Sequence, residues 1–137
     1  MAYWLFKTEP NDYSWAALVA DGGTQWDGVR NHQAAKNMRA MQVDDLAFFY
    51  RSLKKPAVIG IMRVVRPAYP VPDDPDGPFV QVDVAPVAPL PNEVPLSAIK
   101  SNDAFADFAL VRQSRLSVMQ VGDHQWKLIC RMGGLSA

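Results

Sequence analysis

Short apolar runs recur along this chain, and their length and composition set the limits on its fold. Residues 46–50 read Leu-Ala-Phe-Phe-Tyr, an aromatic-rich run without a breaker that predicts a buried strand. Further strands are predicted at residues 3–6, 58–65, 79–84 and 116–119, and Pro10 is expected to prevent the first from continuing. Gly60, inside the run 58–65, indicates a bulge or a close backbone contact.

Short helices are predicted between these strands from capping residues. Ser14 is expected to cap a helix that Gly22 stops, Asn31 to cap a second helix, and Asp123 to cap a closing helix that ends at Gly133. The positions expected to face the core are Ala34, Ala35, Met38 and Met41 in the second helix, and Trp126, Ile129 and Cys130 in the last.

Proline punctuates the second half of the chain. Residues 69–78 mix proline with aspartate and predict a loop. Pro86, Pro89, Pro91 and Pro95 are expected to limit regular structure until short helical turns at residues 96–108. Strands interspersed with short helices predict one α+β domain over residues 1–137, whose sheet curls into a partly closed barrel.

The composition narrows the class of protein. The 137 residues carry no net charge and include one cysteine and two histidines, so neither a disulfide framework nor a metal site is predicted. No apolar run reaches the roughly 18 residues that a membrane helix needs. A cytoplasmic protein without a cofactor is the expectation.

Charge is unevenly distributed along the chain. Between Arg30 and Arg66 the bases outnumber the acids, and from Val71 to Ala109 the balance reverses. This asymmetry allows a positive face toward phosphate, although chance clustering of solvated charges explains it equally well. A neutral total argues against coating long nucleic acids and fits a protein that grips a short site.

Signals for catalysis are weak. Cys130 lies at helical spacing from Trp126 and is expected to fill the core. Asp44-Asp45 and Asp73-Asp74 are interpreted as turn formers, because adjacent side chains point apart. An enzyme acting on a modified nucleotide, with Glu9 as acid or base, is kept as an alternative, and no enzymatic activity is predicted.

The strongest functional signal is the segment of residues 26–31, Trp-Asp-Gly-Val-Arg-Asn. Trp26 can stack on a nucleobase, Gly28 lets backbone approach a ligand, and Arg30 and Asn31 carry donors and acceptors for a base edge or a phosphate. A buried Glu9 could accept from an exocyclic amine. The competing interpretation is that Trp26 and the aromatics of residues 49–50 belong to the core.

Many ordered pieces of the chain resemble the EVE-domain family, which includes the thymocyte nuclear protein family and small bacterial relatives. The pieces are residues 3–10, 13–14, 26–31, 33–34, 37–41, 48–50, 68–70 and 115–118. The resemblance implies a PUA-like fold, a mixed β pseudobarrel flanked by short helices. It also implies non-enzymatic recognition of a modified nucleobase, for example a modified cytosine in DNA, with modified RNA as the other candidate.

The resemblance carries site residues onto this chain. The residues placed around the pocket are Lys7, Thr8, Glu9, Trp26, Val29, Arg30, Asn31, Phe49, Tyr50, Ser52, Arg115 and Ser117. Stacking is assigned to Trp26, edge contacts to Glu9 and Asn31, and phosphate or acidic partners to Lys7, Arg30 and Arg115. The expected partner is DNA or RNA carrying a modified base, with a possible separate nuclease or helicase.

The chain departs from the family pattern at three places. Arg51 stands where a histidine is common, so a phosphate contact is expected to replace an edge contact there. Met119 and Gln120 replace a glutamine-proline pair, and the loop of residues 71–78 is short. Two further functions stay open: binding of structured RNA through the basic face of residues 30–66, and a ligand-free module that binds another protein.

Overall fold

The computed structural model describes residues 2–9 and 11–135 and arranges the chain around one mixed sheet. Pro10, expected to end the first strand, lies outside the described residues. The strands are β1 (Tyr3–Thr8), β2 (Thr24–Trp26), β3 (Leu46–Arg51), β4 (Ala57–Pro70), β5 (Val80–Pro95) and β6 (Val118–Val121). The helices are α1 (Trp15–Asp21), α2 (His32–Arg39), α3 (Leu96–Lys100), α4 (Ala109–Arg112) and α5 (Asp123–Met132), with a 3₁₀ turn at Asp103–Phe105.

The sheet is curled. Its strand order is β2-β5-β4-β3-β1-β6, and only β1 and β3 run parallel. Trp26 on the edge strand β2 nevertheless contacts Phe6 on β1, with ring centroids 5.1 Å apart. These two strands are separated by three others in the sheet, so the sheet closes on itself. The predicted α+β class with a partly closed barrel is confirmed.

The core is built from the aromatic runs recognised in the sequence. Phe6, Phe48 and Trp126 are buried, and Trp126 stacks on Phe48 at 3.9 Å between ring centroids. Asp45 is a buried carboxylate whose oxygens accept hydrogen bonds from the Trp4 indole and from two backbone amides. Because its carboxylate oxygens are occupied by these three donors, Asp45 has a structural role, in line with its interpretation as a turn former.

The first two helices begin as predicted. Ser14 accepts from the Ala17 amide at 3.0 Å, and Gly22, with φ 74°, ends α1. Asn31 accepts from the Ala34 amide at 2.9 Å and caps α2. The positions predicted to face the core from α2 and α5 are buried, including Cys130, but Met41 lies beyond the end of α2 at Arg39.

The proline-rich half of the chain contains more strand than predicted. β4 continues to Pro70 and β5 runs through Pro95, so the loop at residues 69–70 and the break expected at Pro86 are wrong. β2 pairs with β5 only from Val82 to Val84, and the β4–β5 register shifts at four places. Prolines are tolerated in such a strand because one edge lacks a neighbour and bulges interrupt the ladder.

Two element starts also differ from prediction. The last strand begins at Val118 because Leu116 is held in a turn by the Gln113 carbonyl. Asp123 is not the N-cap of α5: Gly122 occupies that position, and the Asp123 carboxylate lies in the first turn, where the helix dipole favours it.

Candidate functional site

The curl of the sheet leaves a cavity of about 890 Å³ bordered by β1, β2, β3, α3 and α4. The edge strand β2 and the strand β1, which lie far apart in the strand order, both line it, so its walls come from distant parts of the chain. The lining residues are Lys7, Thr8, Glu9, Asp12, Tyr13, Thr24, Gln25, Trp26, Asp27, Gly28, Val29, Arg30, Tyr50, Ser52, Leu53, Pro56, Leu96, Lys100, Leu110, Val111, Ser114, Arg115 and Ser117.

Most of the side chains predicted to surround a pocket meet in this cavity. Those that line it are Lys7, Thr8, Glu9, Trp26, Val29, Arg30, Tyr50, Ser52, Arg115 and Ser117. Asn31 and Phe49 do not line it. The sequence segments 7–9 and 26–30 lie opposite each other here because β1 and β2 approach across the curled sheet.

Trp26 combines two environments. The residue is 8% exposed, and it lines the cavity. The rings of Phe6, Tyr13 and Phe49 pack against it edge to face, at centroid distances of 5.1, 6.4 and 5.9 Å. Three edge contacts hold the indole in one orientation, so the ring is a rigid wall of the cavity.

Phe49 is a core residue that supports the site from behind. It is 2% exposed and packs between Trp15 and Trp26, with ring centroids at 5.5 and 5.9 Å. Phe49 does not line this cavity, so its predicted place in the pocket lining is corrected, and it borders a separate, smaller cavity of about 260 Å³ beside Trp15. The β3 strand alternates its side chains, and at this position the side chain meets the core, where a ring is more stable than in contact with water.

Asn31 is also displaced from its predicted edge contact. Its Oδ1 accepts from the Ala34 amide and satisfies the first turn of α2, and the residue does not line the cavity. Asn31 therefore acts as a helix cap.

The turn before α2 presents backbone and a cation at the cavity. Gly28 has φ 75°, and no atom lies within 4 Å of the position where its Cβ would be. The backbone conformation, and not crowding, therefore explains the glycine. Arg30 is exposed, donates to the Val29 carbonyl at 3.2 Å and lies 5.6 Å from the centroid of the Phe79 ring.

Lys7 and Tyr50 are adjacent on the parallel pair β1–β3 and form one wall. Burial lowers the pKa of Lys7, whose ammonium donates to the Ser114 carbonyl at 3.0 Å and lies 6.0 Å from the Tyr50 ring centroid. Burial raises the pKa of Tyr50 to about 12. The wall thus offers one cationic donor and one neutral phenol near neutral pH.

The polar residues at the ends of β1 and β3 are partly committed to the fold. Ser52 donates to the Thr8 carbonyl through its amide at 2.9 Å and its hydroxyl at 3.1 Å. Glu9 is exposed, so the buried carboxylate expected from the sequence is corrected. The residue follows the last position of β1, where the chain leaves the sheet and no element covers it.

Arg51 does not provide the phosphate contact expected from its place in the sequence. It pairs with Glu93 on β5, with Nη2 and Oε1 2.7 Å apart, and donates to the Lys55 carbonyl. The hydrogen bonds that Arg51 donates to the Glu93 carboxylate raise the pKa of Arg51 and lower the pKa of Glu93. The arginine lines a smaller cavity of about 260 Å³ beside Trp15.

The basic stretch from Arg30 to Arg66 is likewise partly neutralised within the fold. Arg51 pairs with Glu93, Arg63 pairs with Asp44 at 3.0 Å, and the Arg66 guanidinium stacks on Tyr69. The continuous basic face considered for structured RNA is therefore interrupted by Glu93 from β5 and by Asp44 from within the stretch itself.

Several lining residues escaped the sequence analysis. Tyr13 belongs to the segments that resemble the EVE-domain family, but it was not among the residues expected around the pocket. In the structure it packs against Trp26. Leu53 and Pro56 come from the turn after β3, and Leu96, Lys100, Leu110 and Val111 come from α3 and α4. Nothing local marks residues of α3 and α4 as cavity walls, because their placement depends on how the helices pack.

The described residues provide no sign of a metal centre or a membrane helix. In residues 2–9 and 11–135, no three His, Cys, Asp or Glu side chains are arranged to hold a metal ion. No helix in this part of the chain is long and apolar enough to cross a membrane.

Comparison with known proteins gives the family. The sequence pattern of the EVE domain matches residues 2–132. The chain belongs to the EVE-domain family. A solved structure of a protein from Agrobacterium tumefaciens resembles this EVE-domain chain with a TM-score of 0.96 and 40% identity, covering 99% of this chain and 95% of the other. The predicted family and the PUA-like fold class are thereby confirmed.

Two thymocyte nuclear proteins extend the comparison. The human THYN1 protein, in a crystal structure with DNA containing 5-methylcytosine, has a TM-score of 0.89 and 28% identity, covering 98% of each chain. Rat thymocyte nuclear protein 1 is 44% identical over 80 residues, which are 50% of this chain and 35% of the relative. This match thus spans about a third of the rat protein.

Proposed function

We propose that this chain binds nucleic acid and holds one extruded or unpaired modified base in the cavity beside Trp26, without chemical conversion. A modified cytosine in DNA is the first candidate, because the human relative was crystallised with DNA containing 5-methylcytosine. A modified base in RNA is the second. The other lining residues supply polar contacts around that base.

The rigid indole of Trp26 carries the proposal. A tryptophan fixed by three neighbouring rings, and still bordering a cavity, is suited to stack on a planar ligand. Stacking of a base on an aromatic side chain contributes about 1–3 kcal/mol. The cavity volume, about 890 Å³, falls in the range of small-molecule sites.

The polar groups of the lining are suited to recognition. Lys7 offers an ammonium held by one carbonyl, and Arg30, Lys100 and Arg115 are exposed cations at which phosphates of the flanking strand would bind. Extrusion of a base from a duplex costs a few kcal/mol. Stacking and two or three polar contacts are of the size needed to offset it.

The lining favours binding over catalysis. No histidine or cysteine is among the described residues that border the cavity, so its serines lack the usual partner of a nucleophile. His32 packs beside Phe79, and Cys130 is buried in α5. Incubation with modified nucleosides should therefore leave their masses unchanged.

The test compares two buried tryptophans. Trp26→Leu removes the stacking face and should weaken binding of an oligonucleotide with one 5-methylcytosine roughly 10- to 100-fold. Trp126→Leu is the control, because Trp126 is as buried as Trp26 but does not line the cavity. Affinities are measured for modified and plain DNA and RNA.

Equal affinities for modified and plain oligonucleotides in the parent protein would contradict the proposal. So would equal losses of binding in the two variants, since the effect would then follow stability and not stacking. A preference for modified RNA would move the assignment from DNA to RNA at the same cavity.

A further inference from the structure

The turn between β3 and β4, residues 52–56, places an aliphatic side chain in solvent at the rim of the cavity. Leu53 is 63% exposed, the most exposed of the large hydrophobic residues described, and it lines the cavity that Trp26 borders. Exposure of a leucine to water is unfavourable, so its position at this rim calls for a reason.

The backbone of the same turn is strained. Leu53 has φ 67° and Lys55 has φ 50°, values that residues with a Cβ adopt rarely. Strained backbone persists only where surrounding contacts hold it, and it is concentrated at functional positions. In the described part of the chain, three residues other than glycine have a positive φ. Two of them, Leu53 and Lys55, lie in this turn, and the third is Asp44.

Three anchors keep the turn in this shape. Ser52 donates twice to the Thr8 carbonyl, and Arg51, itself paired with Glu93, donates twice to the Lys55 carbonyl at 3.1 and 2.7 Å. The Leu96 amide donates to the Pro56 carbonyl at 2.9 Å. These hydrogen bonds fix the backbone on both sides of Leu53, so the turn holds the leucine in its exposed position.

The charges beside Leu53 define the partner. Lys54 and Lys55 are exposed on the turn itself, and Lys100 is exposed on the same cavity. The acids Glu9, Asp12 and Asp27 also line the cavity, but they come from the chain after β1 and β2, not from this turn. An apolar tip followed directly by two exposed lysines complements a base stack and its neighbouring phosphates.

We propose that Leu53 is a wedge that enters a DNA duplex and fills the space left by the base that moves into the cavity. Lys54 and Lys55, next to it on the same turn, bind phosphates of the opened strand. Apolar side chains inserted between base steps are known to unstack duplexes. This inference rests on the proposed function, and it adds that the chain opens duplex DNA itself.

The test uses a substitution that the backbone tolerates. Leu53→Asn removes the apolar tip. Because asparagine accepts a positive φ, the melting temperature of this variant should be no lower than that of the parent protein. Binding of a duplex with one 5-methylcytosine should weaken about tenfold, and binding of the same strand alone should change less than about twofold. Val43→Asn is the control, because Val43 is also an exposed aliphatic residue, at 51%, and lies outside the cavity.

A second measurement needs no variant. A 2-aminopurine beside the 5-methylcytosine should brighten when the parent protein binds the duplex, because unstacking relieves its quenching. No brightening, an unchanged duplex affinity in Leu53→Asn, or equal losses on duplex and single strand would overturn the wedge. The preference of the parent protein for the modified base separates the two failures. If the preference is present and the wedge tests are negative, only the wedge fails. If the preference is absent, the proposed function fails as well.

Discussion

At the scale of single residues, side chains near the cavity divide into those used by the fold and those left for a ligand. The amide oxygen of Asn31 is occupied by the Ala34 amide, and the Lys7 ammonium has one carbonyl partner. An ammonium has three donors, so Lys7 keeps capacity for another acceptor. Trp26 keeps its place at the cavity because its neighbours pack against it edge to face.

The role of Asn31 can be separated from binding by two substitutions. Asn31→Ala should lower the free energy of unfolding by about 1 kcal/mol, because the first turn of α2 loses its acceptor. Asn31→Ser retains an acceptor at the cap and should cost much less. Denaturant titration measures the difference. Both variants should bind the modified oligonucleotide as the parent does, and a binding loss shared by the alanine and serine variants would return Asn31 to the site.

At the scale of elements, α1 packs on the sheet through Leu18, which is buried in the core, and through Trp15 at its first position. The Trp15 ring lies over Gly60 on β4, where a Cβ would be 2.6 Å from the nearest ring atom. The register of β4 shifts between Val58 and Gly60, so the bulge and the missing side chain together create room for the indole. The same indole contacts Phe49, which supports Trp26.

Gly60→Ala should therefore displace Trp15 and lower the free energy of unfolding by roughly 1–3 kcal/mol. Gly122→Ala is the control, because the nearest atom to its Cβ would be at 3.5 Å and its φ of −66° suits alanine. Gly122 is the N-cap of α5, where glycine is preferred to alanine, so the control should lower the free energy of unfolding by less than about 1 kcal/mol. Thermal and urea unfolding compare the two, and equal stabilities would remove the contact as the reason for glycine.

At the scale of the whole molecule, the curl of the sheet is what creates the cavity. β2 and β1 lie at the first and fifth positions of the strand order, yet Trp26 and Phe6 are in contact. The cavity thus exists only when the long β4–β5 ladder, the parallel β1–β3 pair and the helices after β5 are all formed. Its walls are therefore coupled to global stability.

This coupling gives a prediction for alkaline pH. The folded pKa of Tyr50, about 12, lies above the ordinary tyrosine value of 10.0, so between these values the folded protein binds more protons than the unfolded chain. Stability then falls as pH rises from 10 toward 12. Tyr50→Phe removes the titrating group, and from about pH 9 to about pH 11.5 its free energy of unfolding should fall less than the parent's, by about 1–2 kcal/mol. Urea unfolding across this range measures both proteins, with pH 7 as baseline, and parallel declines would contradict the assignment.

The local elements could be predicted because their causes are local. Ser14 and Asn31 cap helices with their own side chains. The run of residues 46–50 forms a strand because it is rich in aromatic residues and contains no glycine or proline. The family pattern also brought ten of the twelve expected residues to one cavity. These features depend on neighbours a few positions away or on a motif that can be read directly.

What the tertiary structure alone decided depends on residues far apart in the chain. Pairing with β4 carries β5 through its prolines, Glu93 takes Arg51 out of the site, and packing places Phe49 behind Trp26 and leaves Leu53 in solvent. Register, ion pairing and the curl of a sheet are set by contacts between residues far apart in the chain. Each contact is similar in energy to a local preference, and together they override it.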